Sequence, residues 1–155
     1  MEQRRQVTLL GDSILKGIQV DLSSRRYKPQ NEMNVDALES EFQLSIHNDA
    51  HFGATVRKGS RLLDRMLERQ FPCDMLVMDF GGNDCDFKWA EIAAAPAAEH
   101  LPAVPLPEFI RSYRSMIGKL RQRDIVPILT TLPPLEPELF FDWWCGRLDQ
   151  GAVHR

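Results

Sequence analysis

Val7-Thr8-Leu9-Leu10-Gly11-Asp12-Ser13-Ile14-Leu15 is the stretch on which the fold turns. Val7 to Leu10 is a short apolar run without polar alternation, the pattern of a strand covered on both faces. Gly11-Asp12 then breaks it. Two later runs repeat the pattern, Met75 to Phe80 and Ile125 to Leu132, and Gln43 to Asn48 is a weaker strand candidate with Leu44 and Ile46 alternating with polar neighbours. Helical periodicity fills the gaps: Leu62, Leu63, Met66 and Leu67 within Arg61 to Arg69, and Phe109, Ile110, Tyr113, Met116, Ile117 and Leu120 within Pro107 to Arg121. Pro107 and Glu108 suit a first helical turn. A third helix-like pattern runs from Leu135 to Leu148, and the polar stretch Leu22 to Asn34 reads as a hairpin-like excursion. Strands alternating with helices predict an α/β layered domain with a mainly parallel sheet. The Ala- and Pro-rich stretch Ala93 to Pro107 is read as a long loop inside that domain.

Three sites at strand ends carry polar groups suited to chemistry. Ser13 follows the first strand, where a strand-to-helix turn presents a hydroxyl at the carboxyl edge of the sheet, the edge on which open α/β sheets bind ligands. Gly81-Gly82-Asn83-Asp84 ends the strand Met75 to Phe80, and its Asn83 amide is an uncharged donor for a developing oxyanion. Phe52-Gly53-Ala54-Thr55 follows the weaker strand, and Gly53 lets a backbone N–H approach a ligand closely. Each has a plain structural alternative: Asp and Ser cap helices, and Gly, Asn and Asp make turns.

The composition excludes several classes. A chain of 155 residues, 43% hydrophobic and 26% charged, fits one domain with a real core. A net charge of −3 opposes a nucleic-acid surface, which needs clustered Lys and Arg. The sequence holds no apolar run of roughly 20 residues, so a membrane partner is not expected. The N-terminal run Val7 to Leu10 is too short for a signal-peptide core, so a cytoplasmic location is expected. Cys73, Cys85 and Cys145 are widely spaced and read as reduced thiols.

The ordered combination Gly11-Asp12-Ser13, Gly53 and Gly81-Gly82-Asn83-Asp84 resembles the SGNH/GDSL hydrolase family, from Val7 to about Pro134. Gly11-Asp12-Ser13-Ile14-Leu15-Lys16-Gly17 and Thr131-Leu132-Pro133-Pro134-Leu135 also resemble bacterial members of it. The resemblance implies a flavodoxin-like three-layer α/β/α fold and no GxSxG elbow. It also implies hydrolysis of small acyl esters or acetylated sugars without a cofactor. Ser13 would form the acyl-enzyme, with the oxyanion held by the Ser13 and Gly53 N–H groups and the Asn83 amide. Asp12 and Asp84 would brace their turns.

The family's base comes from an Asp-x-x-His block, and these 155 residues contain none. Asp149 and His154 have the wrong spacing; His51, two residues before Gly53, His100, in the Pro-rich loop, His47, on a strand, and His154 itself stay open as lesser candidates for the base. The expectation is therefore a single domain over residues 1–155 that lacks the last strand of the sheet. Ile125 to Leu132 would then be an uncovered edge prone to self-association. The competing functional reading is a non-catalytic binding or scaffold remnant. A nucleotide binder ranks last, since no P-loop or GxGxxG turn occurs.

Overall fold

The computed structural model describes residues 4–21, 23–24, 26–29 and 35–145, the side chains of Trp144 and Cys145 excepted. Strands β1 (Arg5–Gly11), β4 (Leu44–Asn48), β5 (Met75–Asp79) and β6 (Val126–Leu129) form a parallel sheet in the order β4-β1-β5-β6. β2 (Ile18–Asp21) and β3 (Arg26–Pro29) form a separate antiparallel hairpin. The helices are α1 (Val35–Glu41), α2 (Val56–Glu68), α3 (Gly82–Cys85), α4 (Trp89–Ala94), α5 (Leu106–Arg121) and α6 (Pro137–Cys145). The sheet order matches the first four strands of the flavodoxin-like order 2-1-3-4-5.

Alternation along the strands explains the core. Leu10, Leu76, Met78 and Phe80 face one side of the sheet and are buried with Val56, Leu62 and Leu63 of α2 and Met116 and Leu120 of α5. The chain moves one way from β1 to β4 and the other way from β4 to β5 and β6. Right-handed crossovers then put α1 on the face opposite α2 and α5. Helix α2 comes within reach of the sheet at Gly59, where a Cβ would lie 2.2 Å from the Phe80 ring. Arg57 donates to both oxygens of Glu108 at 2.6 Å and to the Ala103 carbonyl at 2.9 Å, tying α2 to the start of α5.

The layered α/β architecture and the parallel sheet agree with the sequence reading. Several boundaries differ. Helix α2 begins at Val56, ahead of the Arg61 expected from periodicity, because Asp84 rather than a local cap satisfies its first N–H. The expected strand Ile125 to Leu132 pairs only over Val126–Leu129; beyond it Leu132 packs within 3.0–3.3 Å of the Cβ position of Gly81. Ile110, expected in the buried stripe of α5, is 39% exposed, whereas Met116 and Leu120 are fully buried. The helical pattern to Leu148 is described as far as Cys145; Gly146 onward lies outside the described residues. Helix α1 was not anticipated.

Candidate active site

Ser13 sits at the carboxyl end of β1, but not on a helix. A single turn follows β1, closed by Lys16 N–H to Asp12 carbonyl at 3.1 Å and Gly17 N–H to Ile14 carbonyl at 2.9 Å. The chain then enters β2, whose Ile18 N–H donates to the Ser13 carbonyl at 2.9 Å. The expected strand-to-helix turn is therefore corrected: no helix begins at Ser13, and Gly17, with φ +75°, redirects the chain into the hairpin before a helix develops.

One amide gathers the three predicted sites. Asn83 Nδ2 donates to Asp12 Oδ2 at 3.0 Å and to the Ala54 carbonyl at 3.1 Å. Asp12 is the neighbour of Ser13, and Ala54 is the neighbour of Gly53. Asp12 also accepts from the Ile14 N–H at 2.9 Å, which fixes the turn carrying Ser13. The loop with Gly53 is held to β1 by the His51 N–H donating to the Gly11 carbonyl at 2.9 Å. Gly53 itself has φ +67°, a left-handed conformation that favours glycine, and nothing lies within 4 Å of its Cβ position. Ser13 and Asn83 are half-buried and Gly53 is exposed. The three converge at the junction of β1 and β5, where the winding direction of the sheet reverses and such folds bind ligands.

Three carboxylates lie under this point: Asp12, Asp79 and Asp84 are 3%, 5% and 2% exposed. Burial pushes the Asp12 carboxyl above the ordinary aspartate range, and the charge of Asp79 adds to it, against the Ile14 N–H and Asn83 amide. Burial likewise raises Asp84, against donation from Val56. Asp84 Oδ1 accepts the Val56 N–H at 2.8 Å, while its Oδ2 has no hydrogen-bond partner. Asp79 accepts from Thr130 Oγ1 at 2.8 Å. Both Asp12 and Asp84 thus brace turns. Asp79 and Thr130 were missed, because both lie inside runs read only as apolar strand.

Tyr113 was read only as part of an apolar stripe. Its hydroxyl accepts the Phe80 N–H at 3.1 Å, pinning the end of β5 just ahead of the Asn83 turn. Burial pushes its pKa up to about 12, so the hydroxyl stays protonated at neutral pH. Among the histidines, His47 packs its ring on Phe71 with centroids 4.9 Å apart. His51 Nδ1 lies 2.8 Å from the Asp49 carbonyl, and His100 Nε2 lies 2.9 Å from the Ala95 carbonyl. His154 lies outside the described residues. Among the described residues no group of three or more His, Cys, Asp or Glu is placed to hold a metal. No described helix is long and apolar enough to cross a membrane.

Beside the site runs an apolar groove of about 540 Å³ between α5 and β6, lined by Phe80, Phe109, Tyr113, Ile117, Leu129 and Leu132, with Asp84 at its polar end. Leu129, on the groove's face of β6, is 51% exposed, and Val126 and Ile128, on the other face of that strand, are 54% and 39% exposed.

A parallel α/β sheet with a serine, a glycine turn and an asparagine amide at its switch point is the arrangement that the SGNH/GDSL resemblance implies. The sequence profile of the GDSL-like lipase/acylhydrolase family matches residues 9–152, and the chain belongs to that family. No curated protein sequence matches it significantly. Among solved structures it is similar to AlinE4, an SGNH-hydrolase family esterase, with 18% identity and a TM-score of 0.59, over 90% of this chain and 64% of that one. TesA matches with 18% identity and a TM-score of 0.56, over 92% of this chain and 69% of that one. A variant of Axe2, an acetyl xylan esterase from Geobacillus stearothermophilus, matches with 21% identity and a TM-score of 0.51, over 81% of this chain and 58% of that one. The chain thus spans roughly three-fifths to two-thirds of the length of these structures.

Proposed function

We propose that this chain carries the nucleophile and oxyanion half of a serine esterase, acting on small acyl esters or acetylated sugars. The observation that carries the reading is the Asn83 amide, hydrogen-bonded at once to the residue beside Ser13 and to the residue beside Gly53. In this mechanism Ser13 Oγ attacks the ester carbonyl carbon and loses its proton to a base. The carbonyl oxygen becomes an oxyanion, received by the Ser13 and Gly53 N–H groups and Asn83 Nδ2. Both Asn83 protons have acceptors in the unliganded arrangement, so the oxyanion takes one of them from Asp12 or Ala54. The ester C–O bond breaks, the alcohol leaves with a proton, and water hydrolyses the acyl-enzyme. The acetyl ester class is supported by the acetyl xylan esterase among the structural neighbours.

The base is the part that the described residues do not supply in the family's pattern. A serine triad without its histidine turns over on the order of 10⁶ more slowly, so the test supplies a base of known position. The test joins a relative's C-terminal segment, bearing its strand and Asp-x-x-His, to this chain and assays p-nitrophenyl acetate hydrolysis. Activity that disappears on Ser13→Ala supports the reading; activity indifferent to that substitution removes it.

A further inference from the structure

Helix α6 is exposed at Pro137, Glu138, Leu139 and Asp142, with Leu139 at 70%, whereas Phe140, Phe141 and Trp143 are half-buried. Phe140 and Trp143, three residues apart, lie on neighbouring turns of one helical face. Phe140 meets Trp89 edge to face, with centroids 6.0 Å apart and planes at 66°. Trp143 meets Tyr27 in the same manner at 6.2 Å and 63°. Tyr27 in turn meets Phe52 at 5.1 Å and 66°.

The partners of α6 belong to two different segments that adjoin site residues. Tyr27 lies on β3, the second strand of the hairpin that leaves the Ser13 turn, and Phe52 is the residue before Gly53. Trp89 opens α4, shortly after Asn83. Through two of its own rings α6 thus ties the hairpin beside the Phe52–Gly53 loop to the segment that follows Asn83. The connection from β6 to α6 holds Pro133 and Pro134 without regular structure, and its residues are exposed.

We infer that Phe140 and Trp143 are specificity-determining residues: they close the outer side of the Ser13 site and admit compact esters in preference to bulky ones. This rests on the esterase reading for its substrate, but the closure itself is a matter of access. Bulky esters reach Ser13 only when the ring contacts to Tyr27 and Trp89 part. Compact acyl esters pass beneath the closed bridge.

Access can be measured without catalysis. In the full chain, Ser13→Cys combined with Cys73→Ser, Cys85→Ser and Cys145→Ser leaves one thiol at the nucleophile position. Its alkylation by iodoacetamide and by fluorescein maleimide is followed, each rate divided by that for glutathione. With the open arrangement populated about a tenth of the time, the maleimide rate falls about tenfold relative to the iodoacetamide rate. Adding Phe140→Ala and Trp143→Ala restores it. Should that pair fail to fold by circular dichroism, Tyr27→Leu with Trp89→Leu loosens the same contacts from the other side and must restore the rate equally. Equal normalised rates for the two reagents in the parent, or a deficit unchanged by either pair, overturn the inference. Because alkylation needs neither a base nor the Asn83 donor, failure of the esterase reading leaves this result unaffected.

Discussion

Asp84 shows how the site is built at the scale of single residues. One oxygen satisfies the first N–H of α2 and the other is buried without a partner, so its ionised form is costly. Burial holds its pKa above the unfolded value, so the stability it contributes is fully present below the unfolded pKa and is lost as pH rises through the folded one. Asp84→Asn keeps the acceptor for Val56 and removes the charge. Chemical denaturation should show its stability improving relative to the parent as pH rises above the ordinary aspartate range, about 4; a difference independent of pH would contradict this. Asp84→Ala orphans the Val56 N–H and should cost about 1–3 kcal/mol. Tyr113→Phe should cost a similar ~1–3 kcal/mol, read as a lower urea midpoint, because the Phe80 N–H loses its acceptor. In the sequence Ser13, Gly53 and Asn83 stand out only through the ordered motifs that resemble the family, since each alone reads as a cap or a turn. Asp79, Thr130 and the Tyr113 hydroxyl were hidden, because their partners are brought together by β5–β6 pairing and α5 packing, which no local pattern encodes.

At the scale of elements, periodicity identified what packing decides and missed what distant partners decide. Helix α5 was legible because its apolar stripe meets the sheet, whereas the start of α2 was not, because its first turn is satisfied by Asp84, 28 residues away. The hairpin β2–β3 was recognisable as a polar excursion, but its replacement of a helix after Ser13 depends on Gly17. Close approach of α2 to the sheet gives a direct test. Gly59→Ala places a methyl group into the Phe80 ring and should destabilise the protein by about 1–3 kcal/mol in equilibrium unfolding; a neutral result would mean that the ring moves aside freely. Strand β6 presents an apolar edge with Val126 and Ile128 exposed, a template for pairing between chains. Light scattering at rising concentration should show self-association of the parent and less of it in Ile128→Lys. A parent that stays monomeric throughout would remove that account of the edge.

At the scale of the whole molecule, four strands in the order β4-β1-β5-β6 place Ser13 and Asn83 on adjacent strand ends, and the next position of a flavodoxin-like sheet lies beyond β6. That geometry connects the fold to the proposed chemistry: the sheet reversal opens the crevice, and Asp12, Asn83 and Ala54 hold its two sides in register. Joined to a relative's C-terminal strand and Asp-x-x-His, the chain should show Ser13-dependent turnover. The central claim, that Ser13 is a nucleophile set within an oxyanion site, is tested most directly by fluorophosphonate labelling of the chain in imidazole, which supplies a base, with adducts mapped by mass spectrometry. The account predicts modification of Ser13 well above that of Ser23, Ser24 and Ser60 in the same molecule, and its loss in Asn83→Ala. Label spread evenly over these serines, or Ser13 labelling unchanged by Asn83→Ala, would contradict it.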